Sequence, residues 1–133
     1  MLRGTRVLYV EDNIVNQMVV KKILEWEGII VNLAENGQQG VDFTQTGGPD
    51  IVLMDCAMPV MNGFEATKQI RQFNQRIPIL ALTANVTATD KHLCYEAGMD
   101  DFLTKPIDRE LLLAKIASHL QGIYRGEVGR TAV

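Results

Sequence analysis

Five short runs of β-branched and aliphatic residues alternate along the chain with five longer segments in which apolar residues recur at helical spacing. This alternation predicts βαβ units, which place the strands in a parallel sheet with helices on both faces. The first, third and fourth runs are apolar almost throughout, as expected for strands buried on both faces. We predict strands at Arg6–Val10, Ile29–Leu33, Asp50–Met54, Pro78–Leu82 and Asp101–Leu103, and helices at Ile14–Glu27, Gly37–Gln45, Gly63–Phe73, Thr87–Glu96 and Asp108–Leu120.

Five β/α units in about 120 residues fit the flavodoxin-like doubly wound fold, an α/β architecture with a five-stranded parallel sheet in the order 2-1-3-4-5. Right-handed crossovers leave few competing topologies. The 133 residues suffice for one such domain, and we expect no room in them for a DNA-binding or enzymatic output domain. We predict the domain at residues 1–121 and a C-terminal tail or linker at 122–133, where three glycines follow and no apolar period is clear.

Charge and composition argue against several classes of function. The formal net charge is −3, whereas a nucleic-acid-binding domain usually needs a basic face. The longest apolar runs are about six residues, far short of the roughly 20 that span a membrane. The first five residues lack the apolar core of a secretory signal. Cys56 and Cys94 lie outside any CxxC or Cys/His cluster, so we interpret them as free thiols in a reducing cytoplasm rather than as a disulfide or zinc site.

Polar or charged residues end four of the five predicted strands. In open parallel sheets, ligands bind beyond the carboxyl ends of the strands, near the point where the strand order reverses. The second strand ends at the sheet edge, away from that point. The residues at the other four ends are Glu11 and Asp12 after the first strand, Asp55 after the third, Thr83 after the fourth and Lys105 after the fifth.

Most of these residues also have a simpler interpretation. Glu11 and Asp12 fit a helix cap, Thr83 an ordinary strand residue and Lys105 a surface lysine. Asp55 differs, because an isolated carboxylate at the end of a buried strand is costly unless something compensates its charge.

The four strand ends together favour phosphoryl chemistry. Converging carboxylates repel each other by roughly 1 to 4 kcal/mol per pair, which one lysine cannot offset and a divalent cation can. Oxygen ligands suit Mg²⁺, with Mn²⁺ as a substitute, and magnesium binds phosphate oxygens beside one or two carboxylates. A metal, Lys105 and the Thr83 hydroxyl around one carboxylate are a setting for phosphoryl transfer. Asp55 is then the nucleophile that forms an aspartyl-phosphate.

The chain resembles the receiver domain of two-component response regulators from about Arg6 to Leu120. Each matching segment is a weak motif alone, but all four in order at the right intervals are specific. Residues 54–63 are most similar to receivers attached to hybrid sensor histidine kinases. The matching segments are Val10-Glu11-Asp12-Asn13; Leu53-Met54-Asp55 with Met58-Pro59 and Asn62-Gly63; Ala81-Leu82-Thr83-Ala84; and Phe102-Leu103-Thr104-Lys105-Pro106.

The resemblance implies a role for each matching residue. Asp55 is the phosphoacceptor. Asp12, Asp55 and the backbone carbonyl of Ala57 bind Mg²⁺ directly, and Glu11 acts mainly through water. Lys105 and Thr83 stabilise the phosphoryl oxygens. The remaining implied roles are Thr83 and Phe102 as the switch pair, and Pro59, Gly63 and Pro106 as the residues that set loop geometry.

The resemblance also implies partners and a location. The phosphoryl group comes from a phosphohistidine on a histidine kinase or a histidine phosphotransfer domain, and a receiver of a hybrid kinase passes it on to such a domain. We expect signal output through the face made by the fourth helix, fifth strand and fifth helix. The domain promotes its own phosphorylation and dephosphorylation without being a classical enzyme. It is cytoplasmic, either alone or as the cytoplasmic part of a membrane-bound sensor kinase.

Three alternative functions require residues or features that can be compared with this sequence. A phosphatase or phosphotransferase of the haloacid-dehalogenase type typically needs an acid two residues after its nucleophile, where this chain has Ala57. A flavin site needs a glycine-rich phosphate loop after the first strand, where Glu11 and Asp12 would repel phosphate. A receiver-like interaction module without phosphorylation stays open, although the complete set of acidic residues, Thr83 and Lys105 argues against it.

Overall fold

The computed structural model describes residues 2–56, 61–84 and 87–132, with side chains described as far as Leu120. Strands and helices alternate through this part of the chain, as predicted. The strands are β1 (Arg6–Val10), β2 (Ile30–Ala34), β3 (Ile51–Asp55), β4 (Ile79–Thr83) and β5 (Asp101–Thr104). The helices are α1 (Ile14–Trp26), α2 (Gly37–Gly47), α3 (Gly63–Phe73), α4 (Ala88–Ala97) and α5 (Arg109–Ala132).

The five strands form one parallel sheet in the order β2-β1-β3-β4-β5, which confirms the predicted fold. Asp55 pairs with Leu82 of β4, so the last residue of β3 lies one position before the end of β4. Backbone hydrogen bonds continue past the strands. The Glu11 N–H donates to the Ala34 carbonyl at 2.9 Å, and the Lys105 N–H donates to the Thr83 carbonyl at 2.9 Å. The residues that follow the strands are therefore held at one edge of the sheet.

The core consists of two apolar clusters, one on each face of the sheet. Successive strand residues point to opposite faces, and Tyr9 and Val10 accordingly belong to different clusters. Tyr9 packs in the cluster that contains Leu24 of α1 and Leu112 of α5. Val10 belongs to the cluster with residues of α2, α3 and α4. The sheet is thus covered on both faces, as its apolar strands predicted.

Side-chain caps begin three of the helices: α1 and α3 start where predicted, and α5 starts one residue later than predicted. Asn13 Oδ1 accepts from the Asn16 N–H at 3.0 Å, Asn62 Oδ1 from the Glu65 N–H at 2.9 Å, and Asp108 Oδ1 from the Leu111 N–H at 3.1 Å. Each bond satisfies one N–H of a first helical turn.

The C-terminal helix is longer than the sequence predicted. The backbone of α5 is helical to Ala132, past Leu120, where we expected the helix to end. The glycines at positions 122, 126 and 129 weaken a helix by about 1 kcal/mol each relative to alanine, but they do not prevent it. The proposed division between domain and linker at residue 121 stays a prediction. Across the described residues, no helix has both the length and the apolar content to cross a membrane.

Candidate functional site

Three acidic side chains meet at the carboxyl edge of the sheet, between β1 and β3. One carboxylate oxygen from each of Glu11, Asp12 and Asp55 lies within 4.8 Å of the others. Glu11 and Asp55 are buried, with 1% and 3% of their surface exposed, whereas Asp12 is exposed. This all-oxygen set fits a hard divalent cation such as Mg²⁺ rather than zinc, which prefers nitrogen and sulfur ligands. The structure therefore brings together the three carboxylates that the sequence predicted as metal ligands.

Glu11 is surrounded by hydrogen-bond donors. Its Oε1 accepts from the Tyr9 hydroxyl at 2.9 Å, from Lys105 Nζ at 3.1 Å and from Asn16 Nδ2 at 3.3 Å. Its Oε2 accepts from the Asn13 N–H at 3.2 Å. A buried carboxylate stays ionised only when such donors replace the water that it loses.

Lys105 lies between two of the carboxylates. Its Nζ is 3.1 Å from Glu11 Oε1 and 3.4 Å from Asp55 Oδ1. Burial lowers the pKa of Lys105, but the charges of Asp55 and Glu11 outweigh burial and raise it. Burial raises the pKa of Glu11, but the hydrogen bonds that its carboxylate accepts, among them the one from Lys105, bring that pKa below its ordinary value. Lys105 is thus in its charged form, and its ammonium group forms ion pairs with both Glu11 and Asp55.

Gly63 lets α3 approach the site closely. A β-carbon on Gly63 would overlap the carbonyl oxygen of Asp55 and would lie 3.0 Å from Cys56 Cα and from Met54 Cγ. Because two of these three atoms belong to the backbone, they cannot move aside as the end of a side chain can. Asn62 caps the helix immediately before this contact. The close approach requires glycine at position 63.

The structure also describes Thr83 and Pro106, two other predicted site residues. Thr83 ends β4, next to the residue that pairs with Asp55. Pro106 follows Lys105 through a cis peptide bond. Ala57 and Pro59 lie outside the described residues.

Phe102, predicted as the switch aromatic, lies in β5 with two lysines near its ring. Lys91 Nζ of α4 and Lys115 Nζ of α5 are each 5.1 Å from the centroid of its ring. Such distances correspond to cation–π contacts. Lys115 also binds Asp101 Oδ1 at 2.8 Å, and His119 Nε2 lies 2.9 Å from Asp101 Oδ2. The ring therefore connects α4, β5 and α5, the three elements of the predicted output face.

Sequence reasoning missed two features of this region. Tyr9 stands within an apolar strand, where an aromatic residue indicates core packing, so its hydroxyl gave no signal. Cys56 and Cys94 are free, as predicted, but they are neighbours: Cys56 packs against the cluster that contains Cys94. Burial, and then the nearby Cys94, raise the pKa of the Cys56 thiol. Their separation in the sequence concealed this contact.

The comparisons with known proteins agree on one family. The family model of the response regulator receiver domain matches residues 7–117. Hybrid signal transduction histidine kinase B of Dictyostelium discoideum is 40% identical over 129 residues, which cover 86% of this chain and 7% of that protein. Sensor histidine kinase GacS of Pseudomonas protegens is 39% identical over 126 residues, which cover 91% of this chain and 14% of that protein. The chain thus spans only a small part of the curated relatives that it matches.

Two examples among the similar solved structures resemble this chain in fold and also in sequence. One is the receiver domain of sensor histidine kinase PA1611 from Pseudomonas aeruginosa PAO1, with a magnesium ion coordinated in its active site cleft. It has a TM-score of 0.83 and 39% identity, and the match covers 89% of this chain and 99% of that one. The other is the receiver domain of Saccharomyces cerevisiae Ssk1, co-crystallised with the histidine phosphotransfer protein Ypd1, with a TM-score of 0.86, 34% identity and 92% coverage of both chains. By fold, by sequence and by the family model that spans most of its length, this chain belongs to the response regulator receiver domains.

Proposed function

We propose that this chain is a phosphoacceptor of a two-component phosphorelay and that Asp55 receives the phosphoryl group from a phosphohistidine on a partner protein. The observation that carries the proposal is the position of Asp55. Its carboxylate is buried, lies 3.4 Å from Lys105 Nζ and shares a 4.8 Å cluster with Glu11 and Asp12. In this position the nucleophile lies beside the positive charge of Lys105, which compensates the negative charge of the incoming phosphoryl oxygens.

The transfer exchanges one bond to phosphorus for another. An oxygen of Asp55 bonds to phosphorus while the nitrogen–phosphorus bond of the phosphohistidine breaks. The leaving nitrogen keeps the electron pair, and because the other ring nitrogen carries a proton, the histidine departs with a neutral imidazole. Lys105 then pairs with the phosphoryl oxygens, and the Thr83 hydroxyl donates a hydrogen bond to one of them. The same groups would support hydrolysis of the acyl phosphate, so the domain promotes both its phosphorylation and its dephosphorylation.

Glu11, Asp12 and Asp55 would hold a divalent cation, and the carbonyl of Ala57 is the further ligand that the family resemblance implies. When bound, the cation neutralises the carboxylates and the charge on the phosphoryl oxygens. Support comes from the oxygen-only donor set and from the PA1611 receiver, whose structure holds magnesium in the corresponding kind of cleft. We propose Mg²⁺ as this ion, with Mn²⁺ as a substitute.

An exposed apolar surface next to the site supports docking of a phosphohistidine donor. Four residues at the start of α1, immediately after the acidic Asp12, are about half to two thirds exposed: Ile14, Val15, Met18 and Val19. Contiguous apolar surface of this kind marks protein interaction sites. Since α1 begins two residues after Asp12, a protein that brings a histidine to Asp55 can also contact these residues. We therefore assign this surface to a histidine kinase or a histidine phosphotransfer domain; the Ssk1 receiver was crystallised with a histidine phosphotransfer protein.

We propose the face formed by α4, β5 and α5 as the output surface. A phosphoryl group adds roughly −1.5 to −2 charges beside Thr83 and Lys105, which follow β4 and β5. Their rearrangement shifts the conformational equilibrium of α4 and of the Phe102 ring, which both Lys91 and Lys115 contact. Because phenylalanine has no hydroxyl, this coupling acts through packing. Amide exchange on phosphorylation should change in α4 and β5. A change confined to α2 would contradict this assignment.

Incubation with acetyl phosphate and MgCl₂ tests the phosphoacceptor role. Intact-mass spectrometry should show one added phosphoryl group that is stable in acid and lost in base, and Asp55→Asn should abolish it. Asp42→Asn, which changes an exposed carboxylate on α2, is the matched control and should be labelled like the wild type. An unlabelled wild-type protein would instead favour an interaction module without phosphorylation.

A further inference from the structure

Tyr9 places a hydroxyl directly beneath the acidic cluster. It precedes Glu11 by two residues, and because the Glu11 N–H still pairs with the Ala34 carbonyl beyond the end of β1, both side chains project from the same face of the sheet. The Tyr9 ring has 0% of its surface exposed and packs in the cluster with Leu24 and Leu112. Its hydroxyl donates to Glu11 Oε1 at 2.9 Å. An aromatic ring of the core thus delivers one polar atom to the functional site.

The oxygen that Tyr9 contacts is also bound by Lys105. Lys105 Nζ lies 3.1 Å from Glu11 Oε1 and 3.4 Å from Asp55 Oδ1, so one ammonium group serves two carboxylates. In the proposed function, Lys105 pairs with the phosphoryl oxygens on Asp55. Glu11 is 1% exposed, and its Oε1 would then lose a charged donor without gaining access to solvent. An unsatisfied buried carboxylate oxygen is costly.

We propose that Tyr9 is a positioning residue whose hydroxyl keeps Glu11 Oε1 hydrogen-bonded when Lys105 turns to the phosphoryl group on Asp55. This inference rests on the proposed phosphoacceptor function. It explains why an otherwise apolar strand carries a hydroxyl at this position, since a buried tyrosine hydroxyl needs a partner and here finds the carboxylate that Lys105 shares.

The phenol is suited to this role because it acts as a donor. An uncharged phenol donates one hydrogen bond without adding charge, and here it does so at 2.9 Å. The other side-chain donor to Oε1 is more distant, since Asn16 Nδ2 is 3.3 Å away. Without the Tyr9 hydroxyl, Glu11 would hold Lys105 more strongly, and phosphorylation would be slower.

A double-mutant cycle between Tyr9→Phe and Glu11→Gln tests the inference. Tyr9→Phe keeps the buried ring and removes only the hydroxyl. At saturating Mg²⁺, we expect it to lower the rate of phosphorylation by acetyl phosphate roughly tenfold in the wild-type background. In the Glu11→Gln background, where the buried charge is gone, the same change should alter the rate less than about twofold.

Urea unfolding of the metal-free variants gives a second readout that does not depend on phosphorylation. Tyr9→Phe should lower the free energy of unfolding in the wild-type background, and this loss should shrink when Glu11 is replaced by Gln. Thr67→Val is the matched control, because it removes a buried hydroxyl of α3 that has no hydrogen-bond partner among the described residues. This control should be phosphorylated at the wild-type rate.

The outcomes separate this inference from the function on which it rests. A wild-type protein that is labelled, together with a Tyr9→Phe variant labelled equally fast, overturns the role of Tyr9 and leaves the phosphoacceptor function standing. A rate loss of the same factor in both backgrounds also overturns it, because Tyr9 would then not act through Glu11. A wild-type protein that takes no phosphoryl group overturns both proposals.

Discussion

Gly63, the first residue of α3, lies so close to Asp55, the last residue of β3, that the carbonyl oxygen of Asp55 occupies the space of a β-carbon on Gly63. The Gly63 N–H also donates to the Cys56 carbonyl at 3.3 Å, which joins the start of α3 to the end of β3. The position of the Asp55 backbone therefore depends on the absence of a side chain on the neighbouring helix.

Replacing Gly63 by Ala should displace this backbone. We expect a loss of about 1–3 kcal/mol in the free energy of unfolding, as for other overpacked interiors, and a weaker Mg²⁺ affinity, because Asp55 moves relative to Asp12. Urea unfolding and calorimetric titration measure the two effects. Gly4→Ala is the control, since Gly4 has a φ of +84° and no heavy atom within 4 Å of the added carbon. It should cost stability through backbone strain alone and leave Mg²⁺ affinity unchanged.

Asp12→Asn should have opposite effects on the metal-free and metal-bound protein. Without metal it removes one charge from three carboxylates within 4.8 Å, so we expect the Tm to rise by roughly 3–6 °C. With Mg²⁺, the variant should gain little further stability, whereas the wild type should gain much more. Thermal unfolding with and without MgCl₂ measures both. An equal Mg²⁺-induced rise in the variant and the wild type would count against Asp12 as a ligand.

Arg71 should contribute to stability through its contacts with the loop between α4 and β5. Its Nε donates to the Gly98 carbonyl at 2.8 Å, and its Nη2 lies 2.9 Å from Asp100 Oδ2. Its Nη1 donates to the Ile77 carbonyl at 2.8 Å. We expect Arg71→Met to lower the free energy of unfolding by about 2–4 kcal/mol, because two partly buried carbonyl groups lose their donor and Asp100 loses its ion pair.

Arg76→Met is the control for this measurement, because Arg76 is an exposed arginine a few residues along the chain. A change within about 0.5 kcal/mol is expected for it by urea unfolding. Equal losses in the two variants would show that the contacts of Arg71 contribute nothing specific.

Asp101 should make stability depend on pH in the acidic range. Burial raises the pKa of Asp101, but hydrogen bonds from His119, Lys115 and the Phe102 N–H outweigh it and hold the pKa below its ordinary value. A carboxyl whose pKa is lower in the folded state stabilises the fold at pH values above its unfolded pKa of about 3.9. This stabilisation is lost as the pH falls through the folded pKa.

The stability difference between wild type and Asp101→Asn isolates this contribution. We expect the difference to shrink below about pH 4 relative to its value at pH 5, measured by urea unfolding at each pH. A difference that stays constant down to pH 3 would contradict the assigned role of Asp101.

Local signals in the sequence were sufficient for most of the fold. The apolar run Arg6–Val10 and the helix Gly63–Phe73, which follows the Asn62 cap, have the bounds that were predicted. The end of α5 was not predictable, because glycines after Leu120 weaken a helix without determining whether it continues.

The charged residues of the site could be predicted from the sequence, but the contacts that hold such residues in place could not. Carboxylates after apolar strands stand out, and parallel pairing brings strand ends together, so Glu11, Asp12, Asp55 and Lys105 could be grouped from the sequence. Contacts made by a hydroxyl in an apolar strand, such as that of Tyr9, depend on distances that only the packed structure gives. The same holds for the ion pair between Lys115 and Asp101, which lie 14 residues apart.

The pairing of Asp55 with Leu82 ties the spacing of the reactive groups to strand length rather than to loop length. One residue added to or removed from β3 would shift its end by about 3.3 Å and turn its last side chain to the opposite face. The connection that enters β3 from the far edge has an exposed residue, Gly48, ahead of the hydrogen bonds between Asp50 and Arg6, and a change of length there leaves the register of β3 in place. Receiver variants of this chain should therefore tolerate inserted peptides at that connection, a suitable place to attach a reporter or a second module.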